Sequence, residues 1–212
     1  MMRDLFFFGD SITYGEWDEQ GGWVQRLRSS IDQTFMAGRG PKTHVYNLGV
    51  TGHTSEDLLK RVEPEMAARF NPEAETLAIF AIGMNDAHYM VKEARYHRTP
   101  EEFEANLGRL IGAARKYTRN IALVGLNPVD QQKVDPLPWN TNKAYRMERV
   151  RLFNEVIEKI AAEEELFFVD IWKSWSLMSY KTLLCDGLHP NASGHRRIAE
   201  KVSAFLKVTK RG

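Results

Sequence analysis

The feature that most restricts the fold is a set of short runs that carry apolar residues without alternation. Residues 5–8 (LFFF), 76–82 (TLAIFAI), 120–125 (NIALVG) and 166–171 (LFFVDI) are of this kind, and 44–47 (HVYN) is a weaker fifth. A strand with one face in water alternates polar and apolar residues. A run with no polar side must be covered on both faces, the condition of a parallel sheet between helices. The stretches between the runs supply those helices. Over 22–35, Trp23, Leu27, Ile31 and Phe35 recur at three- to four-residue spacing. Thr54, with Asp57 three positions on, forms a box-like cap for a helix bearing Leu58, Leu59, Val62 and Met66. Phe103, Leu107, Leu110, Ile111 and Ala114 line a third helix, and Met147, Val150, Phe153, Ile157 and Ile160 a fourth. Ile198, Val202 and Phe205 mark a last one near 191–208. Strands alternating with helices predict an α/β fold: a three-layer α/β/α sandwich around a five-stranded, mostly parallel sheet, flavodoxin-like in plan.

Length and charge agree with that plan. The chain has 212 residues, which suits one domain over 1–212 and a core large enough to need no staples. Its 29 basic and 28 acidic residues leave a net charge of +1, without the basic excess of a nucleic-acid binder. One cysteine excludes an internal disulfide and any multi-cysteine metal cage. The N-terminal apolar run, 5–8, is shorter than the core of a secretory signal, and no stretch has the length of a membrane span. These features lead to the expectation of a cytoplasmic protein.

Right-handed crossovers put the C-terminal ends of parallel strands on one edge of the sheet, where ligands of such folds bind. Four small or polar clusters fall there or just before the last helix. They are Gly9-Asp10-Ser11-Ile12-Thr13, the stretch 47–52 (NLGVTG), Gly83-Met84-Asn85-Asp86 and Asp186-Gly187-Leu188-His189-Pro190-Asn191. Together they supply a hydroxyl, an imidazole, carboxylates and a side-chain amide, the parts needed for acyl transfer through a serine nucleophile.

These clusters resemble the four blocks of the GDSL-type SGNH hydrolases, a family of esterases, lipases and thioesterases. The first block reads Gly9-Asp10-Ser11-Ile12, with Ile12 where the family name has Leu. Gly49 stands for the second block, Gly83 to Asp86 for the third, and Asp186 to Pro190 for the last. The blocks follow family order over 5–195. The resemblance implies the SGNH hydrolase fold and hydrolysis of carboxylic esters or thioesters without a cofactor. It also implies an oxyanion hole made of the Ser11 N–H, the Gly49 N–H and the Asn85 amide.

The chemistry supports the same roles. Ser11 Oγ needs a base in hydrogen-bond reach, and an imidazole, with an unperturbed pKa of about 6.5, suits His189 to that task. Asp186, three residues earlier, can reach the far imidazole nitrogen through a turn at Gly187. A glycine at 49 would let substrate approach the backbone, and the Asn85 amide donates without titrating. The segment 9–13 is not the G-x-S-x-G elbow of the α/β-hydrolases, because position 13 is Thr.

The remaining polar residues are weaker candidates. Asp10, Asp86 and Asn47 are expected to tie loops together, with Asp10 also a candidate substrate contact. His195 is expected to be structural or at the surface, and Cys185 to pack as a small apolar residue. The polar, proline-containing stretch 127–143 is long enough for a lid or binding loop. Tyr14, Trp17, His88, Tyr89 and Trp139 are candidates to line a substrate pocket, and the absence of a long apolar tunnel favours short or medium acyl groups. Two rivals remain: a metal-dependent hydrolase using Asp10, Asp86, Asp186 and His189 with His195, and a flavodoxin-like binding module without turnover.

Overall fold

The computed structural model describes residues 2–208. In chain order the elements begin with strand β1 (Met2–Gly9), the single-turn helix α1 (Ser11–Tyr14), α2 (Gly22–Met36) and β2 (Thr43–Gly49). Helices α3 (Ser55–Leu59) and α4 (Val62–Ala67) lead to β3 (Ala74–Ala81). Two short strands, β4 (Tyr89–Met90) and β5 (Arg95–Tyr96), precede α5 (Pro100–Ala114) and β6 (Ile121–Val124). Then follow α6 (Gln131–Val134), β7 (Lys143–Ala144), α7 (Met147–Glu163), β8 (Phe167–Val169), α8 (Trp172–Ser176) and α9 (Ala192–Val208).

The five apolar runs form one parallel sheet in the order β2-β1-β3-β6-β8. Successive strand side chains point to opposite faces, so each run feeds two cores. Phe6, Phe8, Ala78, Phe80 and Leu123 meet Leu107, Leu110, Phe103 and Phe153 on one side. Leu5, Phe7, Leu77, Ile79 and Ala122 meet Trp23, Leu27, Trp175 and Val202 on the other. The sheet is therefore the middle layer of an α/β/α sandwich, as the unalternated runs require. The order reverses beside β1, so the crevice outside β1 and β3 is the expected ligand edge.

Two details differ from the sequence expectation. The helix started by the Thr54–Asp57 capping box, which does form, stops at Leu59 and restarts at Val62. Pro64 has no N–H for the Lys60 carbonyl, so an unbroken helix is disfavoured there. At the break Arg61 turns inward and donates to the carbonyl oxygens of Gly9 at 3.0 Å and Leu48 at 2.8 Å. The stretch 127–143 is not a loose lid. It contains α6, buries Val129, Val134 and Leu137, and exposes Trp139 at its tip. A second, three-stranded sheet in the order β5-β4-β7 pins its far end by pairing Tyr89 with Ala144.

Candidate active site

Ser11 is the first residue of α1, directly after β1. Asp10 caps that turn through its Oδ1, which accepts from Ile12 N at 3.0 Å. His189 comes from the turn before α9. Its Nε2 lies 3.0 Å from Ser11 Oγ, and its Nδ1 lies 2.6 Å from Asp186 Oδ2. The other carboxylate oxygen, Asp186 Oδ1, accepts from the backbone N–H groups of Leu188 and His189, both at 2.8 Å. Burial pushes the Asp186 carboxyl up, but these donors outweigh it and hold the group below its ordinary value. The turn needs glycine: Gly187 has φ +98°, and a Cβ there would stand 2.8 Å from Lys133 Cβ. The Gly187 carbonyl also accepts from Asp130 N at 2.8 Å, which docks the turn on the stretch before α6.

Asn85 follows β3 and faces the same crevice. Its Nδ2 donates to the His53 carbonyl at 3.1 Å, and its Oδ1 accepts from the Tyr145 hydroxyl at 2.8 Å. Asp86 turns away and is buried against Ser55, accepting its N–H at 2.9 Å, and pairs with Arg98 at 3.2 Å. It ties the β3 loop to α3, the structural role expected of it. Asn47 likewise joins loops, donating to the Tyr14 carbonyl at 3.3 Å.

Gly49 does not reach the crevice. Its N–H donates to Asn47 Oδ1 at 3.1 Å, and a Cβ on it would collide with the Tyr14 backbone. The close approach that demands glycine at 49 is made by the chain itself and not by a substrate. Gly52, three residues on, lines the cleft instead, with φ +79° and no protein acceptor for its N–H among the described residues. The sequence signal for it was present, since Gly52 closes the same block, but only the fold tells which glycine turns toward Ser11.

Together Ser11, Gly52, Asn85, Trp17, Trp139, Tyr145 and His189 line a cleft of about 280 Å³. Trp17 and Trp139 are 64% and 54% exposed, unusual for indoles, and each ring lies 6.3 Å from the His189 ring. Trp17 also holds φ at +66°, a left-handed conformation that non-glycine residues seldom adopt. Tyr14 lies beside the cleft in a neighbouring shallow groove with Gly15 and Asn47.

Several candidates lie elsewhere. His88 is buried, its Nδ1 is bonded to the Asn85 carbonyl at 2.6 Å, and burial lowers its pKa to about 4. It supports the Asn85 loop from beneath and does not line the cleft, because its ring stacks on His97 at 4.6 Å. Tyr89 is taken up by the small sheet, with the Arg146 guanidinium 3.8 Å from its ring centre. Asp10 is also buried, away from the cleft, and burial raises its pKa to about 7. His195 is fully buried. Cys185 is exposed as a residue rather than packed in the core; its thiol donates to the His189 carbonyl at 3.3 Å, and partial burial of the sulfur together with the Asp186 charge raises its pKa to about 11. The carboxylates named for a metal site point to separate partners. Among the described residues no group of three or more His, Cys, Asp or Glu is arranged to hold a metal ion. No described helix is long and apolar enough to cross a membrane.

Known proteins are similar to this chain in sequence and fold. The chain matches the GDSL-like lipase/acylhydrolase family over residues 7–197. It is 26% identical over 206 residues to esterase TesA of Pseudomonas aeruginosa, covering 97% of this chain and 88% of that one. It is 25% identical to an acetylxylan esterase of Geobacillus stearothermophilus, covering 96% and 92% of the two chains. Its fold superposes on that of a lipase/acylhydrolase from Enterococcus faecalis with a TM-score of 0.76 at 23% identity, covering 98% and 96%. With the match spanning nearly all of the sheet and its crevice, the chain belongs to the GDSL-like lipase/acylhydrolase family and is a carboxylic ester hydrolase.

Proposed function

We propose that this enzyme cleaves esters through an acyl-enzyme on Ser11, with His189 as base and Asp186 as the carboxylate that orients it. The observation that carries the proposal is the unbroken hydrogen-bonded line from Ser11 Oγ to His189 Nε2 (3.0 Å) and from His189 Nδ1 to Asp186 (2.6 Å), at an open cleft. Ser11 Oγ attacks the ester carbonyl carbon while its proton passes to His189 Nε2. The Asp186 carboxylate stabilises the imidazolium that results. The carbonyl oxygen becomes an oxyanion. It is met by the Ser11 N–H, the Gly52 N–H and the second hydrogen of Asn85 Nδ2, donors already fixed before reaction. Collapse breaks the bond to the alcohol oxygen, which takes the proton from His189. Water then attacks acyl-Ser11, with His189 accepting its proton, and the acid leaves with Ser11 restored.

His189 must hand its proton to the leaving oxygen, so the leaving group lies beside that ring. Trp17 and Trp139, the two exposed indoles next to it, are thus walls of the leaving-group side. The modest cleft suits short acyl groups on an ester or thioester. Three of the similar proteins bear esterase names, and one of these is an acetylxylan esterase.

Fluorophosphonate labelling tests the proposal. Mass spectrometry is expected to find the adduct on Ser11, and Ser11→Ala is expected to lower kcat by about 10⁶ with the fold unchanged. An adduct on another residue, or an active Ser11→Ala protein, overturns it. A series of p-nitrophenyl esters from acetyl upward, with acyl thioesters alongside, then ranks the acyl groups.

A further inference from the structure

We infer that Tyr145 is a positioning residue that aims the Asn85 amide at the oxyanion and strengthens its N–H as a donor. The inference rests on the proposed place of Asn85 in the oxyanion hole and adds a residue that none of the sequence blocks contains.

The bond between Tyr145 and Asn85 is built by long-range pairing. The β4–β7 register sets Ala144 opposite Tyr89, so Tyr145 stands opposite His88 and reaches back to the loop after β3. Its own N–H is tied to the Val134 carbonyl at 2.9 Å. The side chain is 1% exposed, and its hydroxyl meets Asn85 Oδ1 at 2.8 Å. Burial and the nearby carboxylates Asp10, Asp86 and Asp186 raise the phenol pKa, so the group stays a neutral O–H at any working pH.

The network also fixes which way the amide points. Asn85 Nδ2 faces the His53 carbonyl at 3.1 Å. Turning the amide over would set oxygen against oxygen there and leave Oδ1 without the Tyr145 proton. The Asn85 backbone carbonyl is held as well, by His88 Nδ1 at 2.6 Å. One Nδ2 hydrogen is used by His53, and the other is left for the cleft. A hydrogen bond accepted at an amide oxygen polarises the amide and makes its N–H groups better donors, an effect that grows in a buried site. The consequence falls where charge develops, in the transition state, and not on the bound ester.

A double-mutant cycle on the full-length enzyme, with p-nitrophenyl acetate as probe, tests this. Tyr145→Phe is expected to lower kcat about tenfold with KM nearly unchanged, the size of one lost buried hydrogen bond. Asn85→Ala is expected to lower kcat about 10²–10³. In the Asn85→Ala background, Tyr145→Phe is expected to change kcat by less than about twofold, because the group it acts through is gone. Melting temperatures are measured for each variant. Should one lose its fold, Tyr145→Met or Asn85→Ser takes its place. Equal losses from Tyr145→Phe in both backgrounds make Tyr145 merely structural and overturn the inference, as does a raised KM at constant kcat. An unchanged kcat in Tyr145→Phe, with Asn85→Ala still impaired, overturns it while the oxyanion hole stands. A wild-type kcat in Asn85→Ala removes Asn85 from the oxyanion hole, and the inference falls with it.

Discussion

Asp186 grips His189 at both ends of the residue. One carboxylate oxygen lies 2.6 Å from the ring Nδ1, and the other accepts the His189 backbone N–H at 2.8 Å. The side chain and the backbone of the imidazole are thus referenced to the same group, and the ring is aimed at Ser11 without help from substrate. Asp186→Asn keeps an oxygen for the backbone donors but takes the negative charge from beside the ring. It is expected to lower kcat by about 10⁴ and to lower the melting temperature at pH 7, where the native carboxylate is ionised. The native carboxyl titrates below its ordinary 3.8, so it adds stability that is lost as pH falls below about 4. The variant is expected to show less acid destabilisation than wild type, read from melting temperatures between pH 3 and 7.

Asp10 has the opposite sign. Burial raises its pKa from 3.8 to about 7, so between those values the folded chain binds a proton that the unfolded chain has released. Its contribution to stability is greatest below about pH 4 and declines as pH rises through 7. Asp10→Asn keeps an oxygen for Ile12 N and carries no charge to desolvate. Relative to wild type it is expected to gain on the order of 4 kcal/mol at pH 8 and little at pH 4. Denaturant unfolding at the two pH values measures the difference, and an equal change at both would mean that Asp10 does not titrate in this range.

Substitutions at Gly49 and Gly52 are expected to have different consequences, one on stability and one on turnover. A Cβ on Gly49 meets the Tyr14 backbone, which cannot move without shifting α1, whereas one on Gly52 meets nothing within 4 Å. Gly49→Ala is expected to lower the melting temperature by several degrees, as steric strain in a closed site does. Gly52→Ala costs about 1–2 kcal/mol for its left-handed φ and tilts the N–H, so kcat is expected to drop at least tenfold with KM nearly constant. Steady-state kinetics beside thermal melts distinguish the two.

Trp139 is expected to act on binding alone. Its ring flanks His189 from the tip of the stretch before β7 and carries no group that reacts. Trp139→Ala is expected to raise KM for aryl or sugar acetates about three- to tenfold at nearly constant kcat, the pattern of a contact made equally in ground and transition states. The same ratio for ethyl acetate, whose leaving group is too small to span the cleft, is expected to stay near one. A uniform loss of kcat across all esters would instead assign Trp139 to the positioning of His189.

What the sequence by itself determined is whatever depends on neighbours along the chain. Unalternated runs such as 5–8 required a sheet covered on both faces, and the helical spacing from Trp23 to Phe35 supplied one of the covers. Ser11, Asn85, Asp186 and His189, which the fold brings together at one cleft, stood out as candidates because each sits in a short block at the end of a strand or before a helix, where local geometry and chemistry coincide. The fold decided what depends on contacts between distant residues. Pairing of β4 with β7 brings Tyr145 to Asn85, 60 positions apart, and no local pattern records that register. The turn after β2 decides that Gly52 and not Gly49 faces the cleft, because Tyr14 and Asn47 already occupy the space and the N–H of Gly49. His88 reads as a pocket aromatic from its place beside the third block, yet stacking on His97 buries it beneath Asn85. Side-chain direction at a sheet edge is set by packing across layers, and that is information the chain acquires only when it closes on itself.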